Sequence, residues 1–495
     1  MQNSAGLTKS YNSPRVTLKT KLVKGGTYLA VTNVLGQVFA VVINIVLARL
    51  LLPADFGAIA LSSTYIGFIS LFSAVGFGSA IIYFNNLDDK QTSSIYWMNF
   101  LFSVVTFLVI VLTAPLAAGF YNTPSLTGIV RWSALGILVS PFFMINYKLL
   151  ERNLEFKLLA ILNLSSTIIG SLLGVLAAFL HFGVYALVVQ SLSSIVIKMF
   201  LILYHSSWRP LFYFNWVDIK SPIWYSVKFK ASNSVLYVER NIDYLILGKI
   251  FRPRQLGYYS FAYNIMYTPV KRISYIFSNM LFPALSSLKN DNSRLLSTYF
   301  RSSQLIAIVA FPMMTLLALN ADWLIPTVFG EQWGDAVPVI KILSFAGAIQ
   351  SVGQLGAIVF PSIGKPEISV YLSIFRSMFT ILAILGGSHY GLIGVAYALI
   401  FAKALSLIVT FIFVYRFLPF DIFDLVKIFV GPITNMVILF VVYNALSSSQ
   451  MSISGGMAQF VLMSIISLGI SLLFHKSIIM DIVKVLFNRT ILKER

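Results

Sequence analysis

The sequence predicts an all-α, polytopic membrane fold of fourteen helices, arranged as two pseudo-symmetric lobes of six followed by two more. Three observations carry that expectation. Hydrophobic residues make up 58% of the 495 and charged residues only 11%, against about 25% charged in a typical soluble domain. Fourteen apolar stretches are each long enough to cross a hydrocarbon core, which takes about 20 helical residues. Finally, Leu47 to Gly57, LARLLLPADFG, recurs 200 positions later as Leu247 to Gly257, LGKIFRPRQLG. At that offset Arg49 matches Lys249, Pro53 matches Pro253 and Gly57 matches Gly257. An internal repeat of this kind points to two homologous membrane halves, the architecture of transporters that rock about a site between their lobes.

The predicted segments run 25–48, 57–82, 93–118, 126–146, 157–180, 183–204, 222–248, 255–281, 297–320, 336–361, 366–387, 390–415, 423–447 and 455–475. They divide the chain into a basic N-terminal segment (1–24), a first lobe (25–204), a linker (205–221), a second lobe (222–415), the two extra helices (416–475) and a tail (476–495). Lys9, Arg15, Lys19, Lys21 and Lys24 make the first of these polar and basic. The apolar run after it is too long for a signal peptide and lacks a small-residue cleavage site, so the first helix is expected to remain as an anchor. Segment seven is the least hydrophobic and rests on the repeat more than on hydropathy. The tail alternates Ile478, Ile479, Ile482, Val483 and Leu486 with Lys484 and Arg489, the pattern of an amphipathic helix on the inner membrane face.

An even helix count puts both termini on one side. With that side cytoplasmic, and with Lys157, Arg301 and Lys427 in the first residues of their segments counted with the inner loops, inner loops and tails hold 22 Lys and Arg, outer loops hold Arg49, Lys249, Arg252 and Arg254, and ten lie within helices. Such a skew follows the positive-inside rule. The net charge of +19 then sets topology and attracts anionic lipid, and nucleic acid is not an expected partner. The outer cations fit either contacts to phosphate groups or, more plainly, interfacial placement.

Several classes of chemistry are excluded. There is no cysteine, which removes disulfides, thiolate metal sites and thiol catalysis. His181, His205, His389 and His475 fall singly at predicted helix ends or loops, with no HExxH pairing. No Walker A loop is present, and no connection is long enough to be a soluble domain. The chain is therefore expected to be a transporter without covalent chemistry, with no cofactor and no resident metal.

Charge inside the bilayer is lopsided. Apart from residues in the first turns of their segments (Lys157, Arg301, Lys427, Glu367 and Asp424), ten cations lie within predicted helices (Arg131, Lys198, Lys228, Lys230, Arg240, Lys271, Arg272, Lys341, Arg376 and Lys403) against two acids, Glu239 and Asp243. Arg131, Lys198, Lys228, Lys230 and Lys341 lie near helix ends and can snorkel. Arg240, Lys271, Arg272, Arg376 and Lys403 lie deeper. At a helix centre each costs roughly 2.5–3.5 kcal/mol on insertion scales, so the five are expected to line a watery inter-lobe cavity and to bind an anion. Asp243 is expected to pair with Arg240 at i+3, either as a static ion pair or, with Glu239 as the weaker candidate, as a coupling carboxylate.

Segment seven adds a polar stripe, since Ser226, Lys230, Asn233, Tyr237, Arg240 and Tyr244 fall on one side at 100° per residue. The repeat offset carries the stripe to Asn33, Gln37 and Asn44 of segment one. These groups either face the same cleft or simply bond neighbouring helices. Segment eight places Tyr259, Tyr263 and Tyr267 at spacing four, with Tyr259 assigned to an interfacial belt and Tyr263 and Tyr267 to the cavity. Rings beside Arg suit a ligand with sugar faces and phosphate oxygens. Gly170 and Gly174 in segment five read as close helix packing.

Longer passages carry a family likeness. ARLLLPADFG, RNIDYLILGKIF with LGYYSFAYNI, NMLFPALSSLKND and FGEQWGDAVPVIKIL resemble the polysaccharide transporter branch of the multidrug, oligosaccharidyl-lipid and polysaccharide exporter superfamily, in particular Wzx-type flippases of the colanic acid and teichuronic acid exporter kind. The likeness covers most of the first twelve segments. It implies alternating access and passage of an undecaprenyl-pyrophosphate-linked oligosaccharide across the bacterial inner membrane. A polysaccharide polymerase and co-polymerase are further implied partners beside membrane lipids. The branch has no short motif that fixes sugar or coupling ion. Two alternatives stand beside this reading: a multidrug-type cation exporter, which needs buried carboxylates that this chain largely lacks, and a non-transporting subunit of a polysaccharide assembly complex.

Overall fold

A computed structural model describes residues 18–73, 77–84, 86–446 and 455–472. The proposed amphipathic tail and most of the basic N-terminal segment lie outside the described residues. Every regular element among the described residues is helical: α1 (Leu18–Leu50), α2 (Pro53–Ser73), α3 (Phe77–Tyr83), α4 (Asp89–Phe120), α5 (Leu126–Val139), α6 (Pro141–Arg152), α7 (Phe156–Phe179), α8 (Tyr185–His205), α9 (Trp216–Ile250), α10 (Pro253–Ser287), α11 (Asn292–Phe329), the 3-10 turn η1 (Glu331–Ala336), α12 (Val337–Gly353), α13 (Gly356–Ser362), α14 (Pro366–Ser388), α15 (Gly391–Phe417) and α16 (Ile422–Leu446). A last helix, α17, spans Gly455–Leu472.

Local chemistry sets several of these boundaries. Asp88 opens α4 with a capping box, its carboxylate accepting from Gln91 N at 2.7 Å while Asp88 N donates to Gln91 Oε1 at 3.3 Å. Asn215 and Asp291 cap α9 and α11 in the same manner, through Val217 N and Arg294 N. Pro53 and Pro253 each occupy the first helical position, where a missing N–H costs nothing. Pro141 breaks the fourth predicted segment into α5 and α6, which meet at 47°, because proline removes a backbone donor and crowds the preceding turn.

Eleven helices among the described residues are long and apolar enough to cross a membrane, or twelve if α5 and α6 form one span. α9 and α10 fail that test. Lys220, Lys228, Lys230, Glu239, Arg240, Asp243 and Lys249 interrupt α9, and Lys271 and Arg272 interrupt α10, so composition alone does not reveal these as spans. The predicted ninth segment ends too early. α11 continues to Phe329 and so carries Asp322, which forms an ion pair with Lys341 of α12. Lys341 thus has an acidic partner that the sequence reading omitted.

The helices pack in two sets with a shared seam. α7 lies on α8 and α1, and α4 on α5, while α12 lies on α11 and α15, and α14 on α15. Gly170 and Gly174 allow α7 to approach α8 closely, since a methyl group at either would overlap Ser194 or Gln190 of α8. α16 packs on α11, and Asn435 Nδ2 ties it to α17 through Ser467 O and Ser471 Oγ, both at 3.0 Å.

The seam joins α2 to α10 at their first turns, and it is reciprocal. A methyl group at Gly57 would overlap the Pro253 carbonyl oxygen, and one at Gly257 would overlap the Pro53 carbonyl oxygen. The repeat-related turns therefore touch backbone to backbone about a local pseudo-twofold axis. The matched cations follow the same symmetry. Arg49, in the last turn of α1, donates from Nε to Val328 O at 2.8 Å and from its terminal nitrogen to Thr327 O, at the end of α11. Lys249, in the last turn of α9, donates to Phe120 O at 2.6 Å, at the end of α4. Each cation meets the negative end of a helix dipole in the other set.

Trp333 completes this seal. It is 0% exposed, stacks on Phe261 at 3.9 Å, meets Phe56 edge-on at 5.2 Å and donates from Nε1 to Ala48 O at 2.9 Å. All these contacts lie at the end of the bundle opposite the start of α1.

Enlarging either seam glycine tests the reciprocal contact. Gly57→Ala or Gly257→Ala is expected to cost about 1–3 kcal/mol through overpacking. The double variant should cost much less than the sum, because one substitution already parts the helices. Thermal unfolding of purified protein in detergent measures this, and additive losses would contradict a single shared contact.

Candidate functional site

A cavity of about 320 Å³ opens among α9, α10 and α12–α15. Its wall is built by helical periodicity. α14 contributes Ser373, Arg376 and Thr380, and α15 contributes Lys403, Ser406, Leu407 and Thr410, each set spaced three or four residues apart on one face. α9 supplies Glu239 and Arg240, α10 supplies Tyr263, Tyr267 and Ser278, and α12 with its C-terminal turn supplies Ile349, Gln350, Gly353 and Gln354. Ser373 and Arg376 stand in the first half of α14, and Ser406 and Thr410 in the second half of α15. The cavity is therefore displaced from the sealed end toward the end where α1 begins.

Three of the five deep cations line this cavity: Arg240, Arg376 and Lys403. Lys271 and Arg272 do not. Both are exposed, and Arg272 lies about 180° around α10 from Tyr263. Their distance from the ends of the predicted segment carries no information about which way α10 turns them. The wall also comes wholly from α9–α15, whereas the sequence reading expected it between the lobes. Asn33 and Asn44 are exposed on α1, Gln37 is half-buried there, and none of the three belongs to the wall. The side chain of Asn233 is outside the described residues.

The acids exchange the places expected of them. Arg376 Nη1 stands 3.7 Å from Glu239 Oε1, linking α14 to α9. Asp243 forms no ion pair with Arg240. Its Oδ2 instead accepts from the Tyr259 hydroxyl at 2.8 Å and its Oδ1 from Tyr244 N at 3.0 Å, with the carboxylate almost fully buried. The i+3 spacing permitted the expected pair, but Asp243 faces the core beside α10 while Arg240 is exposed. Tyr259 is likewise 0% exposed, and so holds this buried carboxylate where the sequence reading put it in an interfacial belt.

Tyr259, Tyr263 and Tyr267 stack in sequence along α10, with ring centres 5.8 and 5.5 Å apart. The ladder leads from the closed core to the cavity, which Tyr263 and Tyr267 line. Tyr244 meets Tyr259 and Tyr263 edge-on. Tyr237 leaves the stripe for a structural task, donating to Thr64 O of α2 at 3.1 Å, and Gly67 leaves room for its hydroxyl.

Gln350, Gln354, Ser373, Thr380, Ser406 and Thr410 were not singled out from sequence. Their signal was present in part, as hydroxyl residues three or four positions from Arg376 and Lys403. Among the described residues no group of three or more His, Asp or Glu could hold a metal ion. What the site offers is a small polar chamber with three cations, one facing carboxylate, hydroxyl and amide groups, and two aromatic rings.

The family model described as polysaccharide biosynthesis protein matches residues 46–338, more than half of the chain. The chain belongs to that family. It is 24% identical over 402 residues to the lipopolysaccharide biosynthesis protein WzxC of Escherichia coli (strain K12), covering 80% of this chain and 81% of that one. It is 27% identical over 299 residues to the teichuronic acid biosynthesis protein TuaB of Bacillus subtilis (strain 168), covering 60% of this chain and 62% of that one. These likenesses mark a Wzx-type, polysaccharide-exporter-like protein. The lipid II flippase MurJ in an inward closed conformation shares the fold, with a TM-score of 0.73 at 13% identity over 91% of this chain and 99% of that one. An inward-facing multidrug resistance MATE family transporter shares it with a TM-score of 0.62 at 18% identity over 76% and 93% of the two chains.

The buried Tyr259–Asp243 bond yields a stability prediction. Tyr259→Phe leaves the carboxylate without its side-chain donor and is expected to cost about 1–3 kcal/mol. Asp243→Asn keeps a carbonyl acceptor for the hydroxyl and should cost less. Thermal unfolding that ranks the two in the opposite order would contradict this placement of Asp243.

Proposed function

We propose that the protein is a flippase that carries a polyprenyl-pyrophosphate-linked oligosaccharide across the bacterial inner membrane for surface polysaccharide assembly. The observation that carries this reading is the charge of the cavity, in which Arg240, Arg376 and Lys403 face a single acid, Glu239. Unneutralised cations at membrane depth are costly unless a watery path or an anionic ligand compensates them. Arg binds phosphate oxygens with a fixed pair of donors, and the Tyr263 and Tyr267 rings offer flat surfaces for sugar faces. The polyprenyl tail remains in lipid while the head-group passes, so no bond is made or broken.

In this reading α9 and α10 complete fourteen membrane spans, with α2 and α3, α5 and α6, and α12 and α13 each counted as one. α1–α8 form one lobe, α9–α15 the other, and α16 and α17 are the two additions. The termini are cytoplasmic in this reading, which the charge skew supports. The seal then lies on the outer side and the cavity is displaced inward. Alternating access corresponds to parting the Gly57–Gly257 seam, with the lobes rocking about it. A polymerase and co-polymerase act downstream of the product on the outer face.

The shared fold does not separate this reading from a multidrug-type cation exporter, but the charge does. A cationic substrate would meet three like charges and one acid, a repulsive arrangement.

Arg240→Gln and Arg376→Gln are each expected to reduce polysaccharide export roughly ten- to hundredfold, the range of one or two lost charge-assisted hydrogen bonds. Arg→Lys at either position should recover export only in part, and Arg272→Gln should leave it near normal. The measurement is surface polysaccharide in a strain lacking its own flippase, with membrane insertion checked for each variant. Wild-type export in both Arg→Gln variants would contradict an anion-binding role.

A further inference from the structure

The cavity presents more hydrogen-bonding capacity than the protein itself uses. Arg376 Nη2 and Gln350 Oε1 are both shielded from solvent, both belong to lining residues, and both have no partner. Unpaired buried groups of this kind are costly. A donor and an acceptor left unpaired on two residues that line one small chamber point to a ligand that, on entering, draws both side chains toward it and offers the guanidinium an anionic oxygen and the amide a hydroxyl.

The other half of the guanidinium is held loosely. Nη1 lies 3.7 Å from Glu239 Oε1, beyond hydrogen-bond length, and the two side chains are 19% and 20% exposed. Ion pairs that are long and partly wet are weak and exchangeable. The volume of about 320 Å³ sits at the small end of ligand pockets, which run roughly 300–1,000 Å³. It has room for one sugar ring with an acidic group, not for an oligosaccharide.

Resting on the flippase reading of this cavity, we infer that Glu239 is a resident stand-in for the substrate's anion. The acidic group of one sugar unit displaces Glu239 from Arg376, while a hydroxyl of the same unit donates to Gln350 Oε1. The empty cavity thereby keeps Arg376 partly neutralised, and the arriving anion replaces one carboxylate with another acid. That anion is either the phosphate joined to the first sugar or the carboxylate of a uronic acid. The chemistry at Arg376 is the same for both.

Equilibrium binding to the purified full-length protein in detergent tests the inference, with glucose 1-phosphate representing the phosphate source and glucuronate the carboxylate source. Glu239→Gln removes the competitor and should tighten binding about tenfold, equivalent to about 1.4 kcal/mol. Gln350→Ala should weaken both sugars and leave inorganic phosphate unchanged. Arg376→Gln should abolish binding, with Arg376→Lys as a weaker-binding control for folding. Tightening by Glu239→Gln with glucose 1-phosphate alone supports the stand-in and assigns the phosphate, tightening with glucuronate alone assigns the carboxylate, and tightening with both supports it generally. Equal affinity in wild type and Glu239→Gln, with Arg376→Gln still weaker, overturns the stand-in and leaves the anion pathway intact. Binding that is absent throughout, or indifferent to both substitutions, overturns the stand-in and the anion pathway together.

Discussion

The backbone contact between the first turns of α2 and α10 organises the rest of the molecule. Gly57 and Gly257 must both lack side chains for Pro53 and Pro253 to bring their carbonyls against the opposite helix. Once that crossing is fixed, α1 and α9 end beside each other's partners, and Arg49 and Lys249 reach the C-termini of α11 and α4. Both cations are exposed, where capping a helix end contributes about 0.3–1 kcal/mol. Such bonds close the end of the bundle without locking it. Trp333, buried between Phe261 and Phe56, adds apolar contact to the same seal. The closure is thus made of one tight glycine crossing, an apolar plug and several weak polar caps.

The cavity toward the other end takes its electrostatic character from its own lining. The insertion cost of Arg240, Arg376 and Lys403 is tolerable because their side chains share a polar chamber with Glu239 and a set of amide and hydroxyl groups. The second acid, Asp243, is held behind the wall by Tyr259, within electrostatic reach of Lys403, so that three cations stand against two acids. The chamber therefore keeps a positive excess, and the tyrosine ladder on α10 links it to the sealed core. Helix α9 serves both features at once, with Lys249 in the seal and Glu239 and Arg240 in the wall.

Much of this was legible in the residues, for identifiable reasons. The repeat identified the turns that meet, because two copies of one structural unit carry the same Pro and Gly constraints. It also recovered α9, whose charges hide it from hydropathy. Distance from helix ends singled out five cations, of which Arg240, Arg376 and Lys403 share one cavity. It did not give their direction, since a small error in helix rotation carries Lys271 and Arg272 out of the wall. Asp243 shows the same limit: i+3 spacing allowed a bond to Arg240, but a tyrosine sixteen positions away in sequence claimed the carboxylate. Glu239 and Arg376 meet only because α9 packs on α14, which no local pattern encodes. The break at Pro141 and the extension of α11 to Asp322 were errors of boundary, where proline and a long helix overrode a count of apolar residues.

The flippase proposed above can move its substrate only if the sealed end opens. Because the chain has no cysteine of its own, a pair introduced as Arg49→Cys and Val328→Cys, which the arginine side chain now spans, can be joined by a reducible bis-thiol crosslinker without competing thiols. The decisive measurement is transbilayer movement of a polyprenyl-pyrophosphate-linked oligosaccharide in liposomes containing this variant, after crosslinking and again after reductive cleavage of the linker. The account predicts movement at background rate while the bridge is closed and recovery when it is reduced. Undiminished movement with the bridge shown to be closed would contradict it.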